Sequence, residues 1–138
     1  MGAAAPPALS GEQWQRLAEA ARAASANAHC PYSRFPVGAA VLTATDAIAT
    51  GCNVENASYG LSICAERNAI FRAVADGATG IVAVALYTPT AEPVAPCGAC
   101  RQVIAEFGRH VEIRCHCEGG AVASFSLDDL LPAAFSLR

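Results

Sequence analysis

The chain has 138 residues, near the commonest size for one domain and long enough to bury a core without disulfides. Apolar residues make up 54% and charged residues 15%, against roughly 25% charged in soluble domains. So little charge implies surface hidden in an oligomer, unless alanine richness accounts for it. The net charge of −3, with no basic cluster, argues against a nucleic-acid polymer as partner, because phosphate binding takes several Lys or Arg.

In chain order, residues 1–9 are Ala/Pro-rich and expected to fray. Ser10 with Gln13 forms a capping box, and Trp14, Leu17, Ala18, Ala21 and Ala24 repeat at helical spacing, predicting a helix over 11–26. Cys30–Pro36 reads as a loop broken by two prolines. Val37–Ala44 and Ala47–Cys52 read as strands turning near Asp46, and Asn53–Ile63 as irregular. A helix resumes at Cys64 and stops at Gly77. Ile81–Tyr87 is a continuous apolar run, as in a strand buried on both faces. After the loop Thr88–Pro96, a short helix spans Gly98–Phe107 and ends at Gly108. Val111, Ile113, Cys115 and Cys117 alternate with polar residues, predicting a half-buried strand. A turn at Gly119-Gly120, a strand Ala121–Phe125 and a short helix capped by Ser126 and Asp129 follow, with Pro132 ending the helix. No repeat, linker or second domain is visible. The alternation of strands and helices predicts an α/β sandwich in a single domain over 1–138.

The longest uncharged stretch, Gly77–Ala91, is interrupted and falls short of the roughly 20 apolar residues of a span. The N-terminus lacks the basic region of a secretory signal. A cytoplasmic location is therefore expected, where thiols stay reduced. Seven cysteines cannot all pair, and some read better as metal ligands.

Cys97-Gly98-Ala99-Cys100 puts two thiols on one face at a helix start, where free N–H groups and the helix dipole favour thiolate. Alone, this could be a metal site or a redox pair. Cys64 sits at a second helix start, and three thiolates with one open position is the pattern of a catalytic zinc. Glu66, in the first turn beside Cys64, could exchange protons with water there. Three thiolates on Zn²⁺ leave a formal charge of −1, and Arg67, on the Cys64 face of the helix, could offset it by bonding sulfur.

These motifs resemble the small homotetrameric cytidine deaminases. The pattern of zinc deaminases is a His or Cys, then x-E, then P-C-x-x-C. It is matched by Cys64-Ala65-Glu66 and Pro96-Cys97-Gly98-Ala99-Cys100. The resemblance extends through Pro31–Ala39, Gly51–Ala57, Arg67, Arg101-Gln102-Val103 and Leu130-Leu131-Pro132, from about Cys30 through Phe135. It implies a three-layer α/β/α sandwich around a mixed five-stranded sheet, and one zinc per subunit on Cys64, Cys97 and Cys100. It also implies Glu66 as catalytic proton carrier and Arg67 in support. The nucleoside would meet Phe35 at the pyrimidine and Asn53 and Glu55 at the ribose, with Ala57, Tyr59 and Ala65 nearby. Phe135 and Tyr59 would reach into a neighbouring subunit of a homotetramer. The implied reaction is hydrolytic deamination of cytidine and deoxycytidine at C4 in pyrimidine salvage.

Other readings stay open at this point. A non-enzymatic zinc module could use Cys97, Cys100, Cys115 and Cys117, and a thioredoxin-like oxidoreductase could use the C-x-x-C pair. Cys115 and Cys117 would share a strand face from which His116 points away, which favours small buried hydrophobes over ligands. Within the superfamily, free-base, nucleotide and tRNA-adenosine deaminases usually resemble a form with His in place of Cys64. Blasticidin-type enzymes lack an Asn-x-Glu pair like Asn53 and Glu55.

Overall fold

Ser10 starts the first helix as its sequence predicts. Its hydroxyl accepts from Gln13 N (3.1 Å) while the Gln13 side chain accepts from Ser10 N (2.9 Å). In this computed structural model, which describes residues 7–137, helix α1 runs Gly11–Ser25 and buries Trp14, Leu17 and Ala21. Strands β1 (Gly38–Thr43) and β2 (Ile48–Cys52) pair antiparallel through a turn in which Asp46 is left-handed, φ 68°. Helix α2 (Ala65–Ala75) ends at Gly77, φ 99°. There Gly77 N donates to Val74 O and Ala78 N to Ala73 O, a Schellman closure that suits glycine. Strand β3 (Ile81–Thr88), helix α3 (Gly98–Phe107) and strands β4 (Glu112–Cys117) and β5 (Val122–Ser126) follow. Helix α4 (Leu127–Leu130) opens with the capping box of Ser126 and Asp129.

The strands form one sheet in the order β2-β1-β3-β4-β5, with β3 and β4 parallel and the other pairs antiparallel. Alternation along the strands makes two cores. Ala40, Leu42, Ala83 and Ala85 face α1, packing with Trp14, Leu17 and Ala21. Ala39, Val41, Val84, Leu86, Ile113 and Cys115 pack with Ala65, Ala69 and Ile70 of α2 and Ile104 of α3 on the other face. This is the expected three-layer α/β/α sandwich around a mixed five-stranded sheet. Burial on both faces accounts for the unbroken apolar run of β3.

One glycine fixes how closely α2 approaches the sheet. A Cβ on Gly51 in β2 would lie 2.3 Å from Ala69 N and 2.6 Å from Ala65 O, both backbone atoms of α2. Element ends differ from the sequence reading by a residue or two, as fraying ends do. Cys64 caps α2 rather than opening it. The stretch 53–63, read as irregular, holds a 3₁₀ turn at Tyr59–Leu61 and single bridges from Val54 to His29 and to Ile63. Of the segment expected to fray, residues 1–6 lie outside the described residues, while Leu9 packs against the α1 core. No helix among the described residues is long and apolar enough to cross a membrane.

Candidate active site

Two helix N-termini converge on three sulfurs. Cys64 is the N-cap of α2, Cys97 the N-cap of α3, and Cys100 lies in the first turn of α3. Neither cap makes a side-chain capping bond, so both thiols remain free to face each other. Cys64 Sγ lies 3.7 Å from Cys97 Sγ, and Cys97 Sγ 3.5 Å from Cys100 Sγ. All three sulfurs fall within 4.8 Å of one another. Zinc–sulfur bonds of about 2.3 Å in a tetrahedron place sulfurs about 3.8 Å apart, so the trio fits a tetrahedral zinc with its fourth position open. Among the described residues this is the only cluster of three or more side chains able to hold a metal. Cys115 and Cys117 are buried on one face of β4 and stand outside it. Cys117 Sγ donates instead to Ala121 O (3.3 Å) and Ala91 O (3.5 Å). The zinc module built on those two cysteines is therefore not formed.

The proton chemistry of the trio also asks for a cation. A hydrogen bond with Cys100 is the largest influence holding the Cys64 thiol well below its ordinary range; burial opposes it, and Arg67 and Cys97 assist. Cys100 is driven upward by the same bond, then by burial and the charge of Glu66. These opposed shifts favour a thiolate on Cys64 and a proton on Cys100, and a positive charge between the two sulfurs would favour loss of both protons. Arg67 Nη2 donates to Cys64 Sγ at 3.3 Å, as its i+3 position predicts. Its Nε is buried and makes no hydrogen bond among the described residues.

Glu66 is 4% exposed, at the start of α2 beside the sulfurs. Burial, followed by the Cys64 charge, raises its carboxyl above the usual range, against the pull of its own backbone N–H. A carboxyl in that setting holds a proton more readily than one in water.

A second group of predicted residues gathers at the exit of β2. The Val54–Ile63 bridge brings Asn53 and Glu55 beside the segment that leads into Cys64. Glu55 Oε1 accepts from Tyr32 N (3.0 Å) and Ser33 N (3.1 Å). The Ser33 hydroxyl is the largest cause of its lowered pKa. The Asn53 amide bonds Val37 N and Phe35 O, both at 2.8 Å. Tyr32, Ser33, Glu55, Tyr59 and Ser62 line a cavity of about 330 Å³. Tyr32 and Tyr59 meet edge to face there, with centroids 6.1 Å apart.

The family described as cytidine and deoxycytidylate deaminase, zinc-binding region, matches residues 11–116. The chain belongs to this family. It is 44% identical to a cytidine deaminase of Sporosarcina psychrophila, over 88% of this chain and 90% of that one. Its fold superposes on the crystal structure of cytidine deaminase from Burkholderia pseudomallei with a TM-score of 0.84 at 49% identity, over 88% of this chain and 98% of that one. Cytidine deaminase from Mycobacterium tuberculosis gives a TM-score of 0.78 at 41% identity, over 90% and 98%. The zinc-binding region of the family and the three-sulfur cluster agree on one zinc ion per chain.

Not every predicted residue gathers with the deaminase centre. Ala65 is fully buried in the α2 core, so only its backbone could face a ligand. Ala57 is exposed, and Tyr59 is 76% exposed. Phe135 lies beyond the family match and is 72% exposed. It lines a different cavity with Gln102 and Phe107, and its carbonyl accepts from Gln102 Nε2 at 3.1 Å. Sequence reasoning gave no role to Arg101, quoted only as part of the resemblance, or to Asn68. Arg101 donates to Pro96 O (2.8 Å) and Leu130 O (3.0 Å), tying the loop before Cys97 to α4. Asn68 Nδ2 donates to Cys52 O at 2.8 Å, tying α2 to the end of β2. Both stand among other polar residues of their helices, so polarity alone did not single them out.

Proposed function

We propose that this chain hydrolyses cytidine and deoxycytidine at C4, giving uridine and deoxyuridine and releasing ammonia, in pyrimidine salvage. The observation that carries the reading is the convergence of Cys64, Cys97 and Cys100 beside a buried Glu66. Cys64, Cys97 and Cys100 would hold the zinc, which when bound supplies a Lewis acid that makes water a nucleophile near neutral pH.

The remaining work falls to the protein. Glu66 takes a proton from the attacking water as its oxygen bonds to C4, and delivers that proton to N3. Glu66 then carries the second water proton to the C4 amino nitrogen. The C4–N bond breaks, ammonia departs, and the carbonyl of uridine remains. Burial suits Glu66 to this shuttle because its carboxyl holds a proton between transfers. Arg67 offsets the excess charge of three thiolates through its bond to Cys64.

Phe35 packs on the pyrimidine. Glu55, through the carboxylate oxygen that the Tyr32 and Ser33 N–H groups do not use, and Asn53, through the amide hydrogen that Phe35 O does not use, receive the ribose hydroxyls. Ala57, Tyr59 and the backbone of Ala65 border the nucleoside. Tyr59 and Phe135, large and exposed, enter sites of neighbouring copies in a homotetramer. The reduced thiols that the zinc site needs accord with a cytoplasmic location.

Glu66→Gln tests the mechanism. It retains zinc and lowers kcat by about 10²–10⁴. Near-normal turnover by that variant removes Glu66 from the reaction.

A further inference from the structure

Phe35 sits on a loop with no regular structure, and the residue before it is strained. Arg34 has φ 55°, in the left-handed region that side chains with a Cβ disfavour. Such a conformation persists only where its surroundings impose it. The imposing groups come from the exit of β2. Asn53 N donates to Val37 O at 3.3 Å. The Asn53 side chain then repeats a strand pairing, its Oδ1 accepting from Val37 N and its Nδ2 donating to Phe35 O, each at 2.8 Å. Pro36 between them has no N–H to offer. Phe35 N donates to Ser33 Oγ at 3.1 Å, and Ser33 N is held by Glu55. Both peptide groups of Phe35 are thereby fixed, the carbonyl, among the described residues, by the Asn53 side chain.

We infer that Asn53, besides meeting the ribose, is a positioning residue whose larger effect on turnover passes through Phe35. An amide oxygen bound to one peptide and an amide nitrogen bound to another hold the ends of a three-residue segment, 35–37, in one geometry. The aromatic ring at its head is then aimed before substrate arrives, which avoids ordering the loop on binding. This inference rests on the assignment of Phe35 to the pyrimidine.

The test compares kcat/KM of Asn53→Ala, Phe35→Ala and the double variant on cytidine and on 2′,3′-dideoxycytidine, which lacks both sugar hydroxyls. Where turnover of the dideoxynucleoside is slow, its inhibition constant against cytidine is measured instead. Zinc content and melting temperature confirm that each variant is folded. Asn53→Ser, too short to span both peptide groups, carries the same comparison should the alanine variant not fold. The expected loss from Asn53→Ala is about tenfold, the scale of one aromatic face contact. Most of that loss persists on dideoxycytidine, and it adds little to Phe35→Ala. A penalty that vanishes on dideoxycytidine, or that multiplies fully with Phe35→Ala, overturns the inference and leaves Asn53 acting through the sugar alone. A Phe35→Ala enzyme with unchanged kcat/KM overturns instead the placement of Phe35 on the base.

Discussion

Replacing Gly51 with alanine adds one methyl group between β2 and α2, and its cost can be worked from the geometry. The new Cβ would lie 2.3 Å from Ala69 N and 2.6 Å from Ala65 O. These are helix backbone atoms, with no rotamer by which to swing aside. Restoring ordinary contact at 3.4 Å requires about 1 Å of separation between strand and helix. Overpacking typically costs 1–3 kcal/mol, and contact with backbone places this case near ~3 kcal/mol. For a chain of this length that lowers the melting temperature by roughly 10 °C. The same displacement moves the N-terminus of α2, which carries Cys64 and Glu66. A 1 Å misplacement at reacting groups can cost about 10²-fold in rate. Scanning calorimetry and steady-state deamination of cytidine read the two effects. Gly11→Ala is the control: a Cβ there has nothing within 4 Å, so the same chemical change should shift stability by less than about 1 kcal/mol, and upward. A Gly51→Ala protein with wild-type melting temperature and rate would refute the claim that this glycine sets the seat of α2.

Arg67→Ala removes the donor to Cys64 Sγ. Zinc affinity, read by competition with a chromophoric chelator, should weaken by about 10–100-fold, with Arg67→Lys restoring part of it. His116 is held below its ordinary pKa of 6.5, first by burial and then by Arg114, and its Nε2 is buried without a hydrogen-bond partner among the described residues. The native state therefore refuses a proton that the unfolded chain accepts. Stability should be full above pH 6.5 and decline as pH falls below it toward the folded pKa. Melting temperatures between about pH 7.5 and 5.5 should fall less in His116→Gln than in wild type.

Much of the fold was legible because its signals are local. The capping boxes of Ser10 and Ser126, the stop at Gly77 and the alternation of β4 depend on neighbours within a few residues, and all form. The zinc trio was legible because two of its members share a motif and all three lie at the N-terminal ends of two helices. The use of the Asn53 amide was not. Its partners, Phe35 and Val37, lie 18 and 16 residues away, and no local pattern announces such a pairing. The bridges from Val54 to His29 and Ile63 escaped for the same reason. The sheet order also depends on pairings between distant segments, most plainly the parallel pairing of β3 with β4 across α3. Arg101 received no role because nothing in a helix sequence distinguishes a solvated arginine from one that bonds the distant carbonyl of Leu130.

Ammonia release from cytidine by protein of measured zinc content tests the central claim most directly. Activity should rise in proportion to zinc, approach its maximum at one ion per chain, and disappear on chelation. Equal turnover by metal-free protein, or no ammonia from fully loaded protein, would contradict the assignment of these three sulfurs and Glu66 to deamination.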